Sequence, residues 1–497
     1  MKSGHPLEKF CKMAGLDKYK QAIADCYQTT NKNIFVSAGP GSGKTYLLCH
    51  LAKITPPMKS LLFLAFNKSI AQELGNRLPQ TVKASTLHSC ALSSLVQNHK
   101  LNFSISDSKN FTLGKERLNF KGVHPKRIPG ILMKVCRLYD LMRFNLVPDD
   151  IERIISLGER YGEEADEDLA VKAIELRKVN EEIANDYFYN GCGGKLQIDF
   201  TDMLYYAVKY VSEEDFKRYS VVMCDEIQDL TPLQYELVKK VKTSRGRMVG
   251  VGDFRQSIYN FMGANLDSLN QIKTAPNTVE FPLNVTYRCA VSIVEEARKV
   301  FTDGIEAAPE AELGKVSEGD FREAVNGDFI LCRNNAPLVD AFISLLRQGK
   351  KCSIMGKDLG DKLVSLIDSV DNIFEFEAML NNLADKLSKK GIKNPTACKT
   401  YDQMEDNINV LISLYEYFGS LDRVRSEIYK IFVENPDNGI TLSTIHKSKG
   451  LEANRVFFLK PSLIPSPYAT TELAQYAEKC LRFVAITRAK KELIYCE

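Results

Sequence analysis

Ala38-Gly39-Pro40-Gly41-Ser42-Gly43-Lys44-Thr45 lies directly after the apolar run Ile34-Phe35-Val36 and before Tyr46-Leu47-Leu48-Cys49-His50-Leu51. A buried strand, a glycine-rich turn and a helix in that order form a phosphate-binding loop. Glycines let the backbone curl so that successive N–H groups point at the β- and γ-phosphates of a nucleotide. Lys44 adds a point charge there, and the Thr45 hydroxyl can ligate Mg²⁺. The opening position is Ala38, so Gly39, Gly41 and Gly43, with Ser42 among them, must supply the tight turn. A loop that merely joined strand to helix would not need Gly-Lys-Thr in this register, so the chain is expected to bind a nucleoside triphosphate.

Outward from the loop, Ser60 to Phe66 reads as a second buried strand, followed by a helical pattern from Ile70 to Leu78 and a strand-like piece ending at Thr86-Leu87-His88. Strand–helix alternation of this kind implies a parallel sheet with crossover helices, an α/β fold. From about Cys90 to Lys195 the character changes to a mostly helical insertion. Residues 109–137 carry Lys115, Arg117, Lys121, Lys126, Arg127, Lys134 and Arg137, and residues 149–186 are acidic. The basic stretch reads either as a solvated face or as a nucleic-acid contact. The α/β pattern resumes at Tyr219–Cys224 and Arg247–Val251. A second α/β segment is expected from about Val279, interrupted by a polar helical stretch over 366–435.

At 497 residues the chain is too long for one core. Its 44% hydrophobic and 26% charged content is that of an ordinary globular protein. A formal net charge of +3 is too small to argue for a polyanionic partner, so any nucleic-acid footprint must be local. The 13 cysteines include no C-x-x-C pair, which argues for free thiols rather than a zinc or iron–sulfur centre. With neither an apolar leader nor a run of 18 apolar residues, a cytoplasmic location is expected, nucleoid-associated in a prokaryotic or viral setting and nuclear where the host has a nucleus.

Asp225-Glu226 closes an apolar strand, where an open α/β sheet places its ligand crevice. Asp225 there can hold Mg²⁺ and Glu226 can polarise an attacking water. Gln256, in Gly252-Asp253-Phe254-Arg255-Gln256-Ser257-Ile258-Tyr259, is placed to sense a γ-phosphate, while Tyr259 and Phe261 offer flat faces to bases or fill the core. Arg288 and Arg488 are candidates for neutralising a transferring phosphoryl group, an effect of about 10³–10⁵ in rate.

In order along the chain, these blocks resemble the UvrD/Rep group of superfamily 1 helicases. They are Gln21, Gly39–Thr45, Ala65-Phe66-Asn67-Lys68, Thr86-Leu87-His88, Asp199-Phe200-Thr201-Asp202, Asp225–Asp229, Gly252–Ala264, Tyr287-Arg288, Thr444–Glu452 and Val484–Ala489. The resemblance implies two RecA-like domains with ATP bound between them and a 3′→5′ motor on single-stranded DNA. The first domain would comprise 1–89 and 196–278, with 90–195 as a helical accessory domain. The second would comprise 279–365 and 436–497, with 366–435 as a reduced accessory domain.

Carried over by position, Lys44 and Thr45 bind phosphate and Mg²⁺, Asp225 holds Mg²⁺, and Glu226 is the catalytic base. Gln256, Arg288 and Arg488 would sense the γ-phosphate, Gln21 and Tyr287 would contact adenine, and Glu452 the ribose. Phe66, Asn67, Thr86, His88, Tyr259, Phe261, Thr444 and His446 would line the DNA track. Single strands, their junctions with duplex, and proteins of replication or repair are the partners implied. Met262, Cys480 and Phe483 depart from the family pattern. Two other readings stay open: a translocase that strips proteins with little unwinding, and a nucleotide-gated binding module without motor activity.

Overall fold

The computed structural model describes residues 16–65, 71–72, 75, 78–79, 82–99, 102–163, 165–190, 194–258, 266–389, 399–434 and 438–497. Two compact units divide it, Met1–Asn284 and Val285–Glu497.

In the first unit the strands are β1 (Asn33–Ala38), β2 (Leu61–Leu64), β3 (Val82–Ser85), β4 (Phe103–Ile105), β5 (Leu196–Ile198), β6 (Tyr219–Cys224), β7 (Lys242–Gly252) and β8 (Thr278–Leu283). Six of them form a parallel sheet in the order β3-β2-β6-β7-β1-β8. Its central strands are apolar on both faces, with Ile34, Phe35, Val36, Val221, Val222 and Met223 all buried, as a parallel sheet covered on both sides requires. The chain leaves β1 and crosses to β2, three strands away. The exits of β1, β6 and β7 are thereby gathered at one edge, at the point where the strand order reverses.

β8 pairs with β1 along its full length, from Asn33↔Thr278 to Ala38↔Leu283. The boundary expected after residue 278 therefore falls after Asn284. β1 would otherwise present an open edge, and Phe281 and Leu283 join the same core as Val36.

The helices Lys109–Arg117, Ile128–Asn145, Ile151–Arg160 and Glu167–Tyr189 make up the insertion in the first unit. Leu132, Val135, Leu138, Tyr139 and Met142 recur at helical spacing and meet Ile154, Leu169, Ala173 and Leu176 in a core of their own. Asp150 and Asp166 cap the third and fourth helices by accepting from the N–H groups of Arg153 and Leu169.

A buried charge cluster fastens this insertion to the α/β layer. The Arg143 guanidinium, with no solvent exposure, donates to Asp199 (2.9 and 3.0 Å) and Asp202 (2.6 Å) and pairs with Asp140. It also lies 4.3 Å from the centre of the Tyr139 ring. Lys109 pairs with Asp202 from another helix of the insertion. Asp199 and Asp202 also form the capping box of helix Phe200–Tyr210, so the block Asp199–Asp202 serves here as a joint.

The second unit contains β9 (Val285–Thr286), β10 (Glu306–Ala307), β11 (Lys315–Glu318), β12 (Phe329–Cys332), β13 (Cys352–Met355), β14 (Phe432–Val433), β15 (Ile440–Thr444), β16 (Ala453–Leu459) and β17 (Ala489–Cys496). Seven strands run parallel in the order β11-β17-β16-β12-β15-β13-β14. Helices Glu375–Lys389, Lys399–Phe418 and Leu421–Ile431 occupy the stretch expected as a separate accessory piece. Instead, Ile408, Leu411, Leu414, Val424 and Ile428 share one core with Phe342, Ile354, Leu442 and Phe457. Their apolar stripes cover the sheet, and the segment ends by adding β14 to β13.

Candidate active site

The phosphate loop follows β1 as expected. Gly41 (φ +66°) and Gly43 (φ +84°) occupy the left-handed region that side chains disfavour, and the Ser42 hydroxyl donates to the Gly39 carbonyl at 2.8 Å. Helix Lys44–Lys53 then starts on Gly43, burying Leu47, Leu48, Leu51 and Ala52 and turning its N-terminal N–H groups to the loop.

Lys44 Nζ lies 2.9 Å from Glu226 Oε1, and the Thr45 hydroxyl donates to Asp225 Oδ2 at 3.2 Å. Sequence separation of about 180 residues is closed by the sheet, which sets the exits of β1 and β6 on one edge. Burial works against the Lys44 ammonium, yet Glu226, Asp225 and Asp253 outweigh it and hold its pKa above the ordinary lysine value. Burial and the neighbouring Glu226 push Asp225 up to about 6, against the pull of Lys44. Glu226 stands at φ +51°, a strained backbone for a side-chain-bearing residue, and its N–H donates to Asp225 Oδ1 at 2.9 Å.

Mg²⁺ fits this pair. A hydroxyl and a carboxylate offer oxygen donors only, and a buried carboxylate with so high a pKa is short of positive charge. Hard cations of this size are commonly held by one or two protein oxygens, the rest of their shell coming from phosphate and water.

Gln256 lies in the turn after β7, where its Nε2 donates to Asp253 Oδ2 at 2.8 Å. Three further residues of the site were not singled out from sequence: Gln228, Asp253 and Arg255. Gln228 donates to Glu226 and accepts the Asp253 N–H at 2.9 Å. Arg255 donates from Nε to Asp253 Oδ1 at 2.7 Å and from Nη2 to the Ala38 carbonyl at 3.2 Å. The available signal was position: Gln228 in the turn after β6, Asp253 and Arg255 in the turn after β7.

Gln21 is exposed on helix Lys18–Thr29 and donates to Asp25 Oδ1 at 2.7 Å. Its neighbour Lys20 is buried, pairs with Asp17, and runs past the loop: a Cβ on Gly43 would lie 3.4 Å from Lys20 Cε. Helix Lys18–Thr29 thus borders the phosphate loop. Thr86 follows β3 and caps the next helix, accepting from the Ser89 N–H at 3.2 Å. His88 packs edge-on to Phe200 at 6.3 Å, and burial lowers its pKa. At about 4.8 Å per strand, β3 stands roughly 19 Å from β1 along the sheet. Phe66, Asn67, Tyr259 and Phe261 lie outside the described residues.

In the second unit, the pairing Ala453↔Ala489 sets Glu452 and Arg488 side by side at the entries of β16 and β17. The Ala290 N–H donates to the Lys490 carbonyl at 2.8 Å and brings the Tyr287-Arg288 turn to the same place. Arg288 pairs with Glu452 at 2.5 Å, and Lys490 with the other Glu452 oxygen at 2.6 Å. Arg488 is 1% exposed, and its guanidinium donates to the Val484 and Leu451 carbonyls, each at 3.0 Å. Thr444 and His446 lie at the exit of β15, the opposite edge of this sheet from Glu452 and Arg488.

Two parallel sheets, the first with a glycine-rich loop facing a strand-end Asp-Glu pair, define an α/β protein with a phosphate-loop motif. The family model of the UvrD/REP helicase N-terminal domain matches residues 18–277, more than half of the chain. The chain belongs to the UvrD/REP helicase family. It is 25% identical to the F-box DNA helicase protein 1 of Schizosaccharomyces pombe, over 97% of this chain and 57% of the relative. It is 26% identical to a probable DNA helicase II homolog of Mycoplasma genitalium, over 57% of this chain and 42% of the relative. With the ATP-dependent DNA helicase PcrA of Leuconostoc citreum the identity is 24%, over 60% of this chain and 41% of the relative. The chain spans about half the length of these relatives. No helix among the described residues is long and apolar enough to cross a membrane.

Proposed function

We propose that the chain is an ATP-dependent translocase on single-stranded DNA that moves 3′→5′ and unwinds duplex. The observation that carries this reading is the meeting of Lys44 and Thr45 with Glu226 and Asp225 across two strand exits. Bound there, Mg²⁺ would neutralise charge on the β- and γ-phosphate oxygens.

The chain's own residues account for the rest. Arriving phosphates compete for the Lys44 ammonium, which at rest is held by Glu226. Transfer of Lys44 to phosphate frees the Glu226 carboxylate to orient a water and take its proton, while Gln228 still holds the other oxygen. Gln256 would then mark the presence of the γ-phosphate. Arg288, Arg488, Tyr287, Glu452 and Gln21 are assigned to nucleotide on the resemblance, as Phe66, Asn67, Thr86, His88, Tyr259, Phe261, Thr444 and His446 are assigned to DNA.

Lys115, Arg117, Lys121 and Arg127 of the insertion are exposed and make no ion pair among the described residues. Sequence-independent attraction to a phosphate backbone suits such a surface. Strand displacement on 3′-tailed and 5′-tailed duplexes tests the reading. Displacement with ATP from the 3′-tailed substrate alone is expected. ATP hydrolysis without displacement from either would favour the protein-stripping translocase.

A further inference from the structure

Gln256 can report a γ-phosphate only if its amide waits where that phosphate arrives. The turn Phe254–Gln256 is too short to fix a side chain by itself, so something outside it must. Asp253 does part of this. It is fully buried, and one carboxylate oxygen accepts from Gln256 at 2.8 Å while the other accepts from Arg255 at 2.7 Å.

Arg255 carries the connection further. Its guanidinium is 2% exposed and reaches the carbonyl of Ala38, the last residue of β1 and the neighbour of Gly39. A planar guanidinium can satisfy two acceptors at fixed spacing, which neither lysine nor an apolar side chain can do. On the other side of the turn, the Asp253 N–H reaches Gln228, which holds Glu226. A buried ion pair gives little net stability over apolar packing, so what this one supplies is geometry.

We infer that Arg255 is a positioning residue that bolts the Gln256 turn to the entry of the phosphate loop, so that loop and sensor move as one piece. The inference rests on the nucleotide reading above. It predicts that Arg255 matters for the transition state of hydrolysis and little for ground-state nucleotide.

The test is equilibrium binding of Mg-ADP and of Mg-ADP–aluminium fluoride to the whole chain with single-stranded DNA, beside steady-state ATPase. Arg255→Met is expected to bind ADP within about 3-fold of wild type. It should lose at least about 10-fold of the extra affinity for the fluoride complex, and kcat should fall at least about 10-fold with KM nearly unchanged. Arg255→Lys should recover part of the loss. Because Arg255→Met strands a buried carboxylate, the double variant Asp253→Asn with Arg255→Met serves as the control. The amide that replaces the Asp253 carboxylate keeps a carbonyl oxygen to accept from Gln256. The thermal midpoint should return towards wild type while kcat stays low.

Recovery of kcat in the double variant, or an undiminished preference of Arg255→Met for the fluoride complex, would overturn the assignment and leave Arg255 a structural residue. Absence of ADP binding to the wild-type chain would sink the nucleotide reading itself, a different and separately visible result.

Discussion

The two sheets differ in how they hold the residues proposed to meet nucleotide. In the first unit the residues stand at strand exits and pair with one another: Lys44 with Glu226, Gln228 with Asp253, Gln256 with Asp253. In the second unit Glu452 and Arg488 stand at strand entries; Arg288 pairs with Glu452, while Arg488 is tied to main-chain carbonyls of its own fold. A set of mutually paired side chains can be lost without removing the fold's supports, since its partners are other members of the site. An arginine that satisfies buried carbonyls is a support. The first set is thus held mainly by its own members, and Arg488 by the fold around it.

Substitutions can break this contrast. The largest effect is expected for Lys44→Ala, which removes the phosphate loop's only side-chain cation. Steady-state ATPase should fall at least about 100-fold with single-stranded DNA binding retained, and a variant keeping a tenth of the wild-type rate would contradict the assignment. Glu226→Gln comes next, since an amide cannot take a proton from water. A fall in kcat of about 10²–10⁴ is expected with nucleotide affinity within about 3-fold, and ordinary turnover would mean that another residue is the base.

Stability should separate the two edges. Arg488→Ala removes the Leu451 carbonyl's side-chain donor and leaves the Val484 carbonyl to the Thr487 hydroxyl, and should cost about 1–3 kcal/mol. Arg288→Ala breaks a partly buried pair with Glu452, which keeps Lys490, and a long bond to the Thr487 carbonyl, and should cost less, about 1 kcal/mol. Urea midpoints measure both, and equal losses would erase the distinction. Asp225→Asn should shift stability in the opposite sense. A carboxyl whose pKa is raised to about 6 on folding is disfavoured in its charged form at pH 7. Its contribution to stability is unfavourable above about pH 6, and relief grows as pH falls from there towards the unfolded value near 4. The amide should raise the thermal midpoint of the nucleotide-free chain by about 2–5 °C at pH 7 while stopping Mg²⁺-dependent hydrolysis. A midpoint that fell would show that Asp225 is a support as well.

What could be read in advance follows the same division. The phosphate loop was legible because its chemistry is local: a few residues fix strand exit, left-handed glycines and helix start. Asp225 and Glu226 were legible because a strand end in a parallel sheet has a known place. The Arg255–Ala38 bond joins residues 217 apart and rests on a side-chain direction that no local pattern encodes. The boundary near residue 278 was misplaced because β8 alternates like any edge strand, and only its pairing with β1 shows which sheet owns it. Residues 366–435 were legible as helices, since amphipathic spacing shows that an apolar stripe exists. It does not show what the stripe meets, and here it meets the second sheet. Asp199 and Asp202 were legible as a block, but their burial against Arg143 depends on a helix almost sixty residues earlier.

On the proposed reading, the Lys44–Glu226 constellation hydrolyses ATP in service of movement along DNA. Its most direct test is the steady-state ATPase rate of the intact chain with and without single-stranded DNA. Slow hydrolysis alone and at least about a 10-fold rise when DNA is added are expected, both abolished in Glu226→Gln. Hydrolysis indifferent to DNA, or unaffected by Glu226→Gln, would contradict it.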